Sequence, residues 1–355
     1  MSQFASKYTI ELVNPNGLLL ADLTGRASKR RVVISRNEAE EISWSVDLNE
    51  FENYCRLSNQ DPLSVLVANN TEVRVKRLGT YLCGGKLIYF NVLINGAAQT
   101  IDLRATGFLN LFKDRYTSTL RLYSSVEATS IASSLITESQ ALTNGNFGVT
   151  IGAMATVGTH VRGYNRTNIK TALQELSRVQ TNPFDFEFTY DKVFKTYVQI
   201  GNKRPDIIFE YPNNIKDAVI PTDGTGMANE IIALGSGFGI ESQSVAQADS
   251  LGSQLTYGLR QKLVTSNGND NSDTALVDEA YAELAAWAFP FEIPSITVNG
   301  NVAPYVTDYK IGDRIVVRFN NYNMLKHING YYRIEKIDLN IDELDNETVK
   351  LYLVA

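Results

Sequence analysis

The sequence predicts a mainly β protein with a few helices, an α+β fold. Three observations lead to this class. Most of the chain consists of short runs in which apolar and polar residues alternate, separated by turns that carry Gly and Asn. Helical periodicity is confined to three segments, and two distant parts of the chain share one order of strands and turns.

The first 120 residues contain several strand candidates. Thr9–Val13 (TIELV) ends at an Asn-Pro-Asn-Gly turn, after which LLLADL resumes the strand pattern. Ile42–Leu48 (ISWSVDL) places four apolar residues on one face and three polar residues on the other, which is typical of a half-buried strand. EVRVKR, KLIYFNVLI and QTIDLRA follow at short spacing, which favours a barrel or a sandwich.

Residues 121–182 change to a helical pattern. Ser124–Glu127 (SSVE) predicts a capping box, and apolar residues at helical spacing follow it. A second helix is capped by Thr167 or Asn168 and ends before Pro183. Between them lies a segment rich in Gly and Thr, which suits a strand or a loop packed against a neighbour. We interpret this part as a helical and loop connection.

Strands return in residues 183–355. Phe184, Phe186 and Phe188 give one strand a strongly apolar face. A third helix is predicted over residues 273–289 and ends at a proline. Its apolar stripe consists of Val277, Tyr281, Leu284 and Ala288. The last strands are DRIVVRF, YYRIEKIDLNI and ETVKLYLV.

Two parts of the chain repeat one pattern. Residues 71–107 and residues 313–354 both contain a strand, a Gly-marked turn, a long strand, a polar turn and a third strand. Their sequences have little identity, but the shared order predicts a domain duplication.

Three alternating glycines, Gly235, Gly237 and Gly239, lie in the stretch ALGSGFGIES. A dinucleotide fingerprint needs G-x-G-x-x-G between a strand and a helix. This spacing is one residue too tight, and no helical stripe follows. We therefore interpret the stretch as the end of a strand, NEIIALG, whose glycines permit a bend or a close backbone approach. Gly237→Val should then impair folding or assembly.

Enzyme signatures are weak throughout. Gly84-Gly85-Lys86 lacks the hydroxyl residue and the upstream Gly of a phosphate-binding loop. The two histidines, His160 and His327, form no zinc signature, and no G-x-S-x-G elbow supports a Ser-His-Asp triad. A carboxylate pair of a glycan hydrolase cannot be read from spacing. The acidic cluster predicted to be a solvated hairpin comprises Asp338, Asp342, Glu343, Asp345 and Glu347. We predict no catalytic, cofactor-binding or metal-binding residues.

Composition narrows the function classes further. The formal net charge is −6, and the one basic run, Lys29-Arg30-Arg31, is predicted to be a solvated turn, which argues against nucleic-acid binding. Two cysteines are too few for a disulfide framework; Cys55 and Cys83 could pair, but free thiols are favoured. The sequence contains neither a signal-peptide pattern nor an apolar run long enough to span a membrane.

The order of features from Asn229 to Ala355 resembles the C-terminal half of bacteriophage tail hub proteins, the baseplate or tail-tip hubs of siphophages. It runs NEIIALGSGFG, ADS, LTYGLR, DEAYAELAAWAFP, IGDRIVVRF and GYYRIEKIDL. The segment RNEAEEISWSVDL also resembles the entry of this family into its first barrel.

The resemblance implies a structural virion protein without enzymatic activity or cofactor, assembled in the host cytoplasm and located at the tail tip. It implies two tail-tube-like β-barrel domains, residues 1–120 and a second within residues 183–355. Three subunits would form a homotrimeric hub that joins the sixfold tail tube to a threefold tip. Implied partners are the distal tail ring, tail tube, tape measure and tip fibre or spike. DNA would pass through the lumen without specific binding, and no membrane anchor is expected.

Two other functions stay open at this point. The chain could be a distal tail ring or tube adaptor of a phage or an injection machine. A β-rich glycan hydrolase is the less favoured alternative.

Overall fold

The chain folds into a mainly β structure with a few helices, as the sequence predicts. The residues that the computed structural model describes are 6–96, 98–179, 182–235, 244–265, 273–290 and 294–354. Gly237 and Gly239 lie outside these residues, so the expected effect of Gly237→Val stays a prediction.

In the amino-terminal part, the strands of the structure agree with the alternating pattern in the sequence. Its elements are β1 (Tyr8–Val13), β2 (Leu19–Asp22), β3 (Ala27–Ser35), β4 (Glu41–Asp47), α1 (Leu48–Leu57), α2 (Pro62–Val65), β5 (Glu72–Arg77), β6 (Thr80–Asn95) and β7 (Ala98–Gly107). In β4, Ile42, Trp44 and Val46 are buried, which confirms the predicted apolar face. Asp47 then ends the strand and caps α1, because its carboxylate accepts the backbone N–H of Glu50 at 2.9 Å.

The middle part forms a second apolar core. Its elements are β8 (Arg121–Glu127), α3 (Ala128–Gln140), β9 (Thr150–Ile151), β10 (Thr159–Tyr164), α4 (Ile169–Ser177), β11 (Asp185–Phe188) and β12 (Val193–Tyr197). Both predicted helices exist, and Asn168 caps α4. The predicted capping box is wrong, since Ser124 lies inside β8. The Glu127 carboxylate instead accepts the backbone N–H groups of Val157 and Gly158.

The carboxy-terminal part completes the fold. Its elements are β13 (Lys203–Glu210), β14 (Ile215–Val219), β15 (Glu230–Leu234), β16 (Val245–Asp249), α5 (Leu251–Tyr257), β17 (Gln261–Thr265), α6 (Asp273–Trp287), β18 (Ser295–Asn299), β19 (Arg314–Arg318), β20 (Gly330–Ile341) and β21 (Glu347–Val354).

The apolar stripe predicted for α6 is partly wrong. Leu276 and Ala280 are buried, whereas Val277 and Tyr281 are exposed. The small side chain of Ala280 allows α6 to approach the sheet of β15, β16 and β17 closely.

Within the described ranges, thirteen strands form one large sheet. Its main path runs β14-β18-β21-β20-β3-β4-β7-β6-β5-β1-β2, and β19 pairs with both β13 and β20. The two repeated segments are both antiparallel three-strand meanders, β5-β6-β7 and β19-β20-β21. Each third strand also pairs with a strand that precedes its meander, β4 in one case and β18 in the other. This shared order supports the duplication, whereas the domain limits 1–120, 121–182 and 183–355 stay predictions.

The amino-terminal and carboxy-terminal parts of the chain meet where β3 pairs with β20. This pairing corrects the prediction that the basic run is a solvated turn. Arg30 is buried in β3 and lies 2.7 Å from Asp345, and Arg31 lies 2.7 Å from Asp338. The acidic cluster is likewise not fully solvated, because Asp338 and Glu347 are buried.

Asp185 ties the middle part to this junction. Its carboxylate lies 2.9 Å from the Arg36 guanidinium, accepts the backbone N–H of Ile200 at 2.8 Å and forms a short ion pair with Arg333. Burial opposes ionisation of Asp185, but the Ile200 hydrogen bond and the two guanidinium groups outweigh burial and lower the pKa of this carboxyl.

Two glycines allow a close backbone crossing beside this network. Gly201 and Gly312 both have positive φ, at +85° and +84°. A Cβ on Gly201 would lie 2.1 Å from the backbone carbon of Gly312, so only glycine fits there.

Asp185→Asn should lower the free energy of unfolding by about 3–5 kcal/mol at pH 7, because Arg36 and Arg333 lose their buried counter-charge. Since the pKa of Asp185 is lowered, its stabilising effect is present above the ordinary carboxyl pKa and is lost as the pH falls below about 4. Urea unfolding at pH 7 and pH 3 measures both effects.

Asp206→Asn is the matched control, because this exposed carboxylate also pairs with an arginine, Arg204. It should change stability little. The same loss for Asp185→Asn at both pH values would contradict the role given to its charge.

Candidate assembly surfaces

The hairpin of β6 and β7 extends past the strand that flanks β6. β5 pairs with β6 only from Thr80 to Lys86. In the part of the chain that the structure describes, no strand pairs with the outer edge of β6 from Ile88 to Ile94. We call this segment, Ile88–Ile94, the hairpin edge. An open edge of this kind presents unpaired backbone groups that can pair with another chain.

The hairpin edge is also apolar. Its exposed apolar residues are Ile88, Tyr89, Val92, Leu93 and Ile94. Ile94 is 70% exposed, and the hairpin edge carries no charged residue of its own. The sequence run KLIYFNVLI shows little alternation, which is the pattern of a strand covered on both faces. Because the single chain leaves these side chains exposed, we expect a partner to cover them.

The small sheet of β15, β16 and β17 has a second exposed apolar face. Its inner face packs on α6 through alanines and Ile231. Its outer face exposes Val245 and Leu263, which are 60% and 61% accessible. The adjoining α5 segment exposes Leu251 and Leu255 as well.

Asn229 holds the α5 segment in place. Its side chain is fully buried, donates to the carbonyl oxygen of Gly258 at 2.8 Å and accepts the backbone N–H of Arg260 at 2.7 Å. Its backbone carbonyl accepts the N–H of Ser250. Through its side chain and its backbone carbonyl, Asn229 therefore holds both ends of α5 against the start of β15.

The glycine stretch follows this anchor. Residues 230–234 of NEIIALG form β15, which confirms the predicted strand, and β16 is the next described element. A Cβ on Gly235 would lie 3.1 Å from the Leu276 side chain, so the strand end approaches α6 tightly. Gly84 and Gly85 lie inside β6, where a Cβ would meet backbone atoms of Tyr190 and Thr106 respectively. These two glycines therefore allow β6 to pack closely against the backbone at Tyr190 and at Thr106.

The residues singled out for chemistry are dispersed in the fold. Cys55 and Cys83 are free and buried, and burial raises the pKa of both thiols. His160 is buried in β10, where burial and the charge of Arg162 lower its pKa. His327 lies in a short 3-10 helix, Asn323–Ile328.

Among the described residues, no cluster of three or more His, Cys, Asp or Glu side chains could hold a metal ion. None of the helices within those residues has the length and apolar character needed to cross a membrane.

The fold is similar to solved structures of tail proteins. The 43 kDa tail protein of prophage MuSo2 from Shewanella oneidensis aligns with a TM-score of 0.68 over 98% of each chain, at 11% identity. The tail protein from Neisseria meningitidis MC58 aligns with a TM-score of 0.66 over 98% of this chain and 96% of that chain, at 12% identity. A chain of the lidded Francisella PdpA-VgrG complex aligns with a TM-score of 0.54 over 98% of this chain and 52% of its own length, at 11% identity.

These similarities establish that the chain has the fold of these tail proteins from end to end. No protein-family model matches the chain, and no curated protein matches its sequence.

The double variant Val92→Lys/Ile94→Lys should weaken self-association at least about tenfold, because charges placed on a strand edge oppose pairing and like charges across an interface cost several kcal/mol. Sedimentation velocity over a concentration series measures the effect, and circular dichroism checks the fold. The control is Leu344→Lys, which adds the same charge at an exposed leucine in the β20–β21 turn. If both variants associate as the original chain does, the hairpin edge is not an assembly surface.

Proposed function

We propose that this protein is a structural subunit of a phage tail or a related injection machine, and that it forms the homotrimeric hub at the tail tip. The observation that carries the proposal is the end-to-end similarity to the MuSo2 tail protein, in which 98% of each chain aligns.

The internal repeat supports threefold symmetry. Each meander is extended by an equivalent preceding strand, so one chain contributes two related sheet units. Three chains would contribute six such units, which can face a sixfold tube while keeping a threefold axis toward the tip.

The exposed surfaces support a role in assembly. The hairpin edge and the outer face of the small sheet are apolar, and both belong to elements that are otherwise well anchored. Such faces suit contacts with other copies of the chain or with neighbouring tail proteins, including the distal ring, tail tube, tape measure and tip fibre or spike.

The net charge of the chain supports the proposal that DNA passes through the ring without binding to it. The net charge is −6, and Arg30 and Arg31, which form the basic run with Lys29, are engaged by acidic residues of β20 and its turn. A ring built from this chain would therefore repel the phosphate backbone more than it attracts it. We accordingly propose a virion component without enzymatic activity.

The purified protein should have a mass of three times 39.4 kDa in size-exclusion chromatography with light scattering. The reason is that a hub with two sheet units in each subunit needs three copies to match a sixfold tube. A stable hexamer would favour the distal ring or tube adaptor and contradict the hub. Clearing of host cell walls in a turbidity assay, if abolished by one Asp or Glu substitution, would instead support a glycan hydrolase.

A further inference from the structure

A cavity of about 300 Å³ lies where the three parts of the chain meet. It is lined by the end of β3 with the β3–β4 connection (34–40) and by the start of β6 (80–83). Residues 186–190 at the end of β11 and the loop 306–311 line it as well. The cavity is therefore built by segments distant in sequence, and its shape depends on the whole fold.

Most of the wall is apolar. Ile34, Leu82, Ile311 and Ile337 contribute aliphatic surface, and Phe186 is among the aromatic residues that line it. The mouth is polar, because exposed residues such as Thr80, Thr307 and Lys310 lie on the lining as well. A ligand that fits must combine an apolar body with a polar group.

Glu40 supplies the polar group inside the cavity. Its carboxyl group lies over Gly107, where a Cβ would come within 1.7 Å of Oε2. Among the described residues, no side chain forms an ion pair or a hydrogen bond with Glu40. Burial raises the pKa of Glu40 to about 8, and the charge of Glu187 adds to the effect. The site therefore lacks a cation that would stabilise the ionised carboxylate.

The other charged groups around the cavity do not supply that cation. Arg36 is held by Asp185 and Glu335, and Glu38 pairs with Arg178 on the surface at 3.1 Å. The Glu187 carboxylate accepts a hydrogen bond from the Tyr197 hydroxyl.

Two basic residues, Arg36 and the exposed Lys310, line the cavity together with three acids, Glu38, Glu40 and Glu187. Tyr309, also on the lining, is buried, and no described residue forms a hydrogen bond with its hydroxyl group. Behind its polar mouth, the cavity thus offers the Glu40 carboxyl group without a cation beside it and the Tyr309 hydroxyl group without a hydrogen-bond partner among the described residues.

We propose that this cavity binds the guanidinium group of an arginine side chain presented by a partner protein. The three methylenes of arginine suit the apolar wall, and its planar fork can donate two hydrogen bonds to one carboxylate. Guanidinium is also less strongly hydrated than ammonium, so its transfer into an apolar cavity costs less. The proposal does not rest on the tail function, since it follows from the cavity alone.

Binding of the arginine side chain should become tighter as the pH rises. The guanidinium group favours ionised Glu40, so binding releases a proton when the free site is protonated. Since the pKa of Glu40 is about 8, affinity should rise about tenfold from pH 6 to pH 7 and level off above pH 8.

The test uses the full chain with 13C-labelled isoleucine methyl groups. The probe is N-acetyl-arginine methylamide, and the neutral control is the corresponding citrulline compound, which has nearly the same shape. We expect the methyl signals of Ile34, Ile311 and Ile337, which line the cavity, to shift with the arginine probe and not with the citrulline probe. Shifts equal for both probes, or none near the cavity, would overturn the proposal.

Variants then assign the effect to one carboxyl group. Glu40→Gln should weaken arginine binding at least tenfold and remove its dependence on pH. The matched control Glu343→Gln makes the same chemical change at an exposed site outside the cavity and should leave binding unchanged. Unchanged affinity of Glu40→Gln would contradict the proposal, because a folded cavity would then bind without the carboxylate.

Discussion

The pairing of β3 with β20 is the contact on which the rest of the fold depends. It joins the amino-terminal strands to the carboxy-terminal strands in one sheet and brings Arg30 and Arg31 opposite acidic residues. Buried charges are costly unless each finds a partner, so the β3–β20 register is constrained by these ion pairs as well as by apolar burial. A shift by one residue would reverse the faces of the strand and separate the pairs.

Other features follow from this junction. Asp185 links the middle part to arginines on both sides of it, and the crossing at Gly201 and Gly312 packs beside that network. The Glu40 cavity forms in the space left between the joined parts. The hairpin edge and the outer face of the small sheet take no part in these contacts and expose apolar side chains.

Local patterns predicted the elements well. The alternation in β4, the buried phenylalanines at and just before β11 and the Asn168 cap of α4 all depend on neighbours within a few residues, so the sequence alone reveals them. One local pattern, the capping box Ser124–Glu127, is wrong because Ser124 lies inside β8. The other errors concern long-range partners. Arg30 and Arg31 resembled a solvated turn because their acidic partners lie about three hundred residues away in the sequence.

The same reason limits prediction of the candidate sites. KLIYFNVLI was recognisable as a strand, but only the structure reveals that part of it lacks a neighbour. The α6 stripe was misplaced because the choice of buried face depends on the sheet that it meets. Glu40 carries no sequence signal, since its environment comes from four separate segments.

The central claim is that three copies of this chain form the hub at the tip of a tail. Electron microscopy of purified particles that carry a small tag on this chain tests it most directly. The account predicts label only at the tail tip, in a ring with threefold symmetry and six similar sheet units around the lumen. Label along the tail tube, or a ring with six copies of the chain, would contradict it.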